Sequence, residues 1–142
     1  MVEIPKKERT NKAYDDEVWG LVYSLEQDDE DNLDINEGVP IAYTKEDLVV
    51  NYWPTSDSGA PNVTAKAQEK QMLVYINRNL TTPSKPKKEY VYRMNMGIKD
   101  AVKEGMPKEY VEKVMRRYIP DVEDEEAREV AQKQALLFED ER

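Results

Sequence analysis

The side chains available for chemistry in this sequence are carboxylates, amines, guanidinium groups and hydroxyls, because its 142 residues include no His and no Cys. That absence excludes His proton shuttles, Ser-His-Asp triads, Cys nucleophiles, disulfides and zinc sites built from His or Cys. A hydrolase or nuclease would need clustered Asp and Glu, either holding Mg²⁺ or facing each other across a cleft. Acidic pairs such as Asp15–Asp16, Asp28–Asp29 and Glu46–Asp47 are abundant, but none follows an apolar strand that would hold it rigidly. The sequence therefore predicts no catalytic residue, no cofactor and no enzymatic activity.

The acidic segment 27–38 is the candidate for cation binding. A calcium loop of the EF-hand type needs carboxylates at positions 1, 3 and 5, Gly at 6 and Glu at 12. Counted from Asn32, Gly38 falls one place late and position 12 is Tyr43. The segment predicts a solvated acidic loop without a metal site, and an acidic docking surface for a basic partner stays open.

Residues 97–116 have the spacing of a helix-turn-helix unit, with Ala101 midway along the first helix and Gly105 in the turn. Asp100 and Glu104 occupy places that such units usually keep apolar, so an ordinary helical hairpin is the favoured interpretation. In the alternative, six cations would contact nucleic-acid phosphates. These are Lys87, Lys88, Lys108, Lys113, Arg116 and Arg117.

Aromatic bulk comes from nine Tyr and two Trp, against one Phe. Rings beside Lys and Arg can stack on bases, but rings at helical spacing are more typical of a core or a partner interface. We expect the following residues to contact a protein partner: Trp19, Tyr52, Trp53, Tyr110, Tyr118, Leu137 and Phe138.

Charge is unevenly distributed along this acidic chain, whose net charge is −9. Residues 1–84 carry a net −8, residues 85–118 a net +5 and residues 119–142 a net −6. In one interpretation the acidic and basic blocks neutralise each other within the fold. In the other, the basic block binds an acidic partner. The acidic blocks also suit mimicry of DNA phosphates, although the basic block argues against it.

Apolar spacing predicts an all-α fold of five to six short helices. The run Met72–Ile76 would also suit a buried strand, but no second strong strand is visible to pair with it, so a helix is preferred. The predicted helices cover about 15–27, 44–53, 63–80, 88–104, 107–119 and a last segment from 121.

Two loosely coupled halves with flexible-looking termini are expected. The predicted parts are an N-terminal arm (1–13), an acidic helical half (14–82), a Pro/Lys linker (83–88) and a C-terminal helical half (89–142). No apolar run approaches the ~20 residues of a membrane span, and the N-terminus lacks a signal core. We therefore expect no membrane partner and a cytoplasmic or virion-associated location.

Taken together, these patterns predict a non-enzymatic, oligomeric protein–protein interaction subunit, a structural or adaptor component of a larger assembly of phage type. One alternative is a nucleic-acid-binding regulator or packaging factor that uses the basic segment. The other is an acidic DNA-mimic inhibitor of a nucleic-acid-binding protein.

Overall fold

Residues 1–4, 17–55 and 59–122 are described by the computed structural model, together with residues 125, 128–130, 132, 133 and 136. The chain divides into two units, Met1–Pro83 and Ser84–Arg142. The first unit is built on a sheet with one helix, and the described part of the second is helical. Residues 5–13 of the predicted arm, and Leu137 and Phe138 of the predicted last helix, lie outside the described residues.

The first unit contains a four-stranded antiparallel sheet. Its strands are β1 (Val2–Ile4), β2 (Val18–Gly20), β3 (Thr44–Tyr52) and β4 (Gln68–Ile76), in the order β2-β1-β3-β4. The long strands β3 and β4 pair along their whole length, from Thr44 opposite Ile76 to Tyr52 opposite Gln68. The short strand β1 pairs with the far end of β3.

Side chains in β3 alternate between the two faces of the sheet, as the pleat requires. Val50 is 1% exposed, whereas its neighbour Val49 is 53% exposed. The pairing of β3 with β4 thus places Val50 on the core face and Val49 on the solvent face. β-branched residues in both long strands suit the pleated surface.

The expectation of an all-α fold is wrong, and so are the helices predicted over 15–27, 44–53 and 63–80. The apolar run Met72–Ile76 has its partner in Thr44–Leu48, and the loop between the two strands hides that pairing from local patterns. Thr44 does not cap a helix. Its hydroxyl donates instead to Glu46 Oε2 (3.0 Å) and to the carbonyl of Ile76 across the sheet (3.3 Å).

The acidic segment predicted as a loop forms helix α1 (Gln27–Asn36), so that prediction is also wrong. Acidic residues in the first turn stabilise the helix, because their negative charge interacts favourably with the positive end of the helix dipole. The Asp29 carboxylate accepts a hydrogen bond from the backbone N–H of Glu26 (3.3 Å), as in a capping box. The helix buries none of its side chains, so apolar packing alone does not hold it in place.

The two Trp side chains lie in the core of the first unit. Their rings stack with centroids 5.3 Å apart and planes 12° from parallel. Trp53 Nε1 donates to the carbonyl of Ala65 (2.9 Å), and Trp19 Nε1 donates to Glu17 Oε2 (2.8 Å). Both rings therefore keep their polar edge satisfied while the apolar face is buried.

The second unit contains α2 (Lys88–Lys103), α3 (Lys108–Lys113) and a 3-10 turn at Met115–Arg117. The helix predicted over 88–104 is confirmed, and Gly105, with φ +102°, ends it as a C′ glycine. Residues buried on α2 and α3 are Val91, Ile98, Ala101, Tyr110 and Val111. Among the described residues, no helix combines the length and apolar character needed to cross a membrane.

Replacing the two adjacent valines of β3 tests the strand directly. We expect Val50→Ala to lower the free energy of unfolding by about 2 kcal/mol, because it leaves a cavity in the core. Val49→Ala should change it by less than about 0.5 kcal/mol, because that side chain is half exposed. Urea denaturation of the two variants measures the difference, and equal losses would contradict the strand assignment.

Candidate functional site

Three carboxylates form a row along one face of α1 and its C-terminal cap. Glu30, Asp34 and Glu37 stand at positions i, i+4 and i+7, a spacing that aligns side chains on one side of a helix. All three are half-buried. The row faces the sheet, because its first two members contact residues of β3 and β4.

Lys45 on β3 binds the first two carboxylates of the row. Its ammonium donates to Glu30 Oε1 at 2.6 Å and to Asp34 Oδ2 at 2.9 Å. Tyr75 on β4 lies opposite Lys45 in the strand register. Its hydroxyl donates to Asp34 Oδ1 at 2.7 Å. These four residues, called the α1 clamp below, attach the helix to both long strands.

The α1 clamp holds its charges fixed. The hydrogen bond from Tyr75, followed by that from Lys45, lowers the pKa of Asp34 below its ordinary value of 3.8. Hydrogen bonds to Glu30 and Asp34 raise the pKa of Lys45. Burial, followed by the hydrogen bond to Asp34, raises the pKa of Tyr75 to about 12. None of these three groups exchanges a proton near neutral pH, so the clamp suits positioning and not proton transfer.

Other buried or half-buried carboxylates of the first unit are also engaged. Arg78 donates to both oxygens of Glu46 at 2.7 and 2.5 Å, and this pairing lowers the pKa of Glu46. Glu17 accepts the hydrogen bond from the Trp19 indole described above. Glu3 is 5% exposed on β1, and its Oε2 lies 3.5 Å from the Asn51 amide.

Glu37 differs from these groups. Among the described residues of the first unit (1–4, 17–55 and 59–83), Glu37 is the only half-buried carboxylate whose side chain makes no hydrogen bond or ion pair. Its backbone is nevertheless fixed, because its N–H donates to the carbonyl of Leu33 at 2.8 Å. The arrangement presents an unengaged carboxylate at the hydrogen-bonded C-terminal end of α1, and such a group is available for proton transfer.

A tight turn follows Glu37 and fixes the direction of the chain. Gly38 has φ +64°, and its carbonyl accepts from the backbone N–H groups of Ile41 (2.9 Å) and Ala42 (2.8 Å). The N–H of Val39 returns to the carbonyl of Asp34 at 2.9 Å. The positive φ favours glycine at position 38, and a Cβ there would also lie a close 3.2 Å from the Cβ of Ala42.

The residues predicted to bind a protein partner are distributed over both units. Trp19, Trp53 and Tyr110 are buried, Tyr52 is half-buried with the Lys70 ammonium 5.0 Å from its ring centroid, and Tyr118 is 46% exposed. The structure brings Trp19 and Trp53 together and places Tyr110 and Tyr118 in the other unit. Nothing in this geometry tests a role in partner binding, which stays a prediction.

The six cations predicted to contact phosphates all lie in the second unit. Lys113 pairs with Glu109 one turn earlier on α3. Arg116 is directed inward, where it donates to Asn95 Oδ1 at 2.5 Å and to the carbonyl of Ile119 at 3.1 Å. Lys87, Lys88, Lys108 and Arg117 are exposed.

The sequence patterns predicted no catalytic residue and did not single out Glu37. A signal was present, because acidic residues recur at 30, 34 and 37 with helical spacing in a segment interpreted as a loop. No group of three or more carboxylates is arranged to hold a metal ion in the part of the chain that the structure describes. A half-buried carboxylate without a cation partner, such as Glu37, can take up and release a proton.

The turn after Glu37 gives a stability test. We expect Gly38→Ala to lower the free energy of unfolding by about 1–2 kcal/mol, because alanine at positive φ is strained and its methyl group crowds Ala42. Gly20→Ala is the matched control in the same unit, because no atom lies within 4 Å of the added Cβ. Chemical denaturation measures both variants, and a neutral Gly38→Ala would contradict the described turn.

The α1 clamp predicts a dependence of stability on alkaline pH. The folded pKa of Tyr75 is raised from 10.0 to about 12, so its contribution to stability is complete below about pH 10 and is lost as pH rises towards 12. Wild type should therefore lose more stability over this range than Tyr75→Phe. Tyr23→Phe, which alters a 75% exposed ring, should follow wild type. Parallel curves for wild type and Tyr75→Phe would refute the assignment.

Comparison with known proteins bears on the activity. The sequence model of the AIG2-like family matches residues 17–114, which is more than two-thirds of the chain. The matched segment includes β2, α1, β3, β4, α2 and α3, and with them the α1 clamp and Glu37. No curated protein and no solved structure matches the chain significantly.

The family has an α+β fold, in agreement with the observed sheet, and its members are typically gamma-glutamylcyclotransferase-like enzymes. The prediction of a non-enzymatic, all-α adaptor subunit is therefore wrong, as are its two alternatives, a nucleic-acid-binding regulator and a DNA mimic. Neither the fold nor the family supports a viral assembly protein. The extent of the match shows that this chain belongs to the AIG2-like family.

Proposed function

We propose that this protein is a gamma-glutamylcyclotransferase-like enzyme in which Glu37 is the general acid–base residue. Support for the reaction class comes from the family, whose members are typically enzymes of this kind. Support for the residue comes from one observation: the side chain of Glu37 is half-buried and unengaged among the described residues, whereas Glu30, Asp34 and Glu46 are neutralised by cations.

The reaction needs little beyond orientation and proton transfer. The α-amino nitrogen of a γ-glutamyl group attacks its own γ-carbonyl carbon, and the bond from that carbon to the leaving nitrogen breaks. The products are the five-membered lactam 5-oxoproline and a free amine. Because the nucleophile and the carbonyl belong to one molecule, holding the chain in a folded conformation accounts for much of the rate increase.

Glu37 carries the proton in this mechanism. Its carboxylate takes a proton from the substrate ammonium group, which exposes the nitrogen lone pair for attack. The resulting carboxylic acid gives this proton to the leaving nitrogen. The regenerated carboxylate then takes the second proton from the nitrogen that attacked and passes it to the departing amine, which leaves the lactam N–H and an alkylammonium ion. One carboxylate that changes between its two protonation states accounts for all of these transfers, which suits a sequence that has no His and no Cys.

The α1 clamp is assigned a positioning role. Lys45 and Tyr75 fix Asp34 to two strands, one helical turn before Glu37, and thereby limit the motion of the carboxylate. Because Lys45 is shared between Glu30 and Asp34, its ammonium is occupied and does not neutralise Glu37. Loss of the clamp should therefore disturb orientation without removing the proton carrier.

Release of 5-oxoproline from a panel of γ-glutamyl dipeptides and γ-glutamyl alkylamines tests the proposal. We expect Glu37→Gln to lower kcat by about 10²–10⁴-fold, because general acid–base groups contribute rate factors of this size. Glu69→Gln is the matched control, since Glu69 is an exposed carboxylate on β4. It should keep wild-type activity.

Two results would contradict the proposal at different levels. Absence of 5-oxoproline from every γ-glutamyl substrate, with folded protein, would reject the reaction class. Wild-type turnover by Glu37→Gln would leave the reaction class standing and reject the residue assignment. Circular dichroism and urea denaturation of each variant establish that the protein compared is folded.

A further inference from the structure

The second unit contains an apolar pocket that the proposed reaction does not use. Its volume is about 160 Å³, close to that of an engineered cavity of roughly 150 Å³ that holds a benzene ring. The pocket therefore has room for one ring and is too small for a nucleotide. Its walls are Pro86, Val91, Tyr92, Tyr118, Pro120 and Val122.

Hydrogen bonds fix the two sides of this pocket against each other. The Asn95 amide on α2 donates to the carbonyl of Pro120 at 2.9 Å. Arg116 donates to Asn95 Oδ1 at 2.5 Å and to the carbonyl of Ile119 at 3.1 Å. The segment that carries Tyr118, Pro120 and Val122 is thereby held beside α2. A ligand would meet a preformed site and lose little affinity to ordering of the protein.

Positive charge lies at the rim of the pocket, because the charged side chains among its described lining residues are those of Lys85 and Lys88. Lys85 makes no ion pair with any described residue. The pocket adjoins the N-terminal end of α2, whose dipole adds partial charge of the same sign. The nearby Asp121 carboxylate lies 3.8 Å from Arg116, which partly neutralises it.

From the size, the apolar walls and the cationic rim, we propose that this pocket binds a small aromatic carboxylate. The ring lies between the Tyr92 and Tyr118 side chains and the two prolines, and the carboxylate lies at the Lys85 ammonium. A neutral aromatic compound cannot make the contact with the Lys85 ammonium. An aliphatic anion such as acetate has no ring to place between the apolar walls. All the residues that line the pocket belong to the second unit, whereas Glu37 belongs to the first.

Amide chemical-shift titration of the ¹⁵N-labelled full chain tests this site, with phenylacetate as the probe and phenylacetamide as its neutral counterpart. We expect saturable shifts confined to the pocket, at Val91, Tyr92, Tyr118 and Val122. Phenylacetamide should bind more weakly, since it carries no charge. Lys85→Gln should raise the Kd for phenylacetate roughly two- to fivefold, the effect of one exposed ion pair. Lys99→Gln, an exposed lysine of α2 outside the pocket, should not change the Kd.

A variant that fills the pocket provides a second readout. Val122 is 54% exposed, so Val122→Trp should fold and should abolish the shifts by occupying the site. Three results would overturn the proposal: no saturable shifts with phenylacetate, shifts centred on α1, or equal affinity for phenylacetate and phenylacetamide. Equal losses of affinity in Lys85→Gln and Lys99→Gln would overturn it as well, because they would show that binding depends on the net charge of the protein and not on a contact with Lys85.

Discussion

The attachment of α1 to the sheet depends on one lysine ammonium, supported by one tyrosine hydroxyl. Helices in proteins are usually held by an apolar face packed against the core, but α1 buries none of its ten residues. Its acidic face instead meets Lys45, which binds Glu30 and Asp34 together, and Tyr75, which binds Asp34 from the adjacent strand. Without that cation, two half-buried carboxylates would repel each other above the sheet, and the helix end that carries Glu37 would lose its support.

The same arrangement separates two roles among chemically similar groups. Asp34 and Glu46 are held ionised by cations and hydrogen bonds, and they serve structure. Glu37 stands one turn after Asp34 on the same face but has no such partner among the described residues. Different surroundings thus distinguish carboxylates that the sequence presents as equivalent. A protein without His or Cys can carry out proton transfer in this way, because one unengaged carboxylate can act first as base and then as acid.

Local signals in the sequence predicted the second unit better than the first. Gly105 and Pro107 mark the turn between α2 and α3, and the apolar spacing of α2 is carried by residues that lie within a few turns of each other. The sheet depends instead on pairing between Leu48 and Met72, which no local pattern contains. The repulsion between like charges predicted a loop over segment 27–38. The lysine that neutralises two of these charges, Lys45, lies outside the segment, so the segment alone gave no sign of it. Glu37 was missed for the same reason, since only the engagement of its neighbours distinguishes it.

The most direct test of this account observes the carboxyl carbons themselves. With ¹³C-labelled protein and a γ-glutamyl analogue whose γ-carbonyl is replaced by an uncleavable group, carboxyl chemical shifts are followed through the titration. The account predicts a saturable change in the Glu37 carboxyl resonance, while those of Glu30 and Asp34 stay fixed because Lys45 keeps holding them. A bound analogue that leaves Glu37 unchanged and shifts Glu30 or Asp34 would contradict it, because the clamp would then be the group that meets substrate.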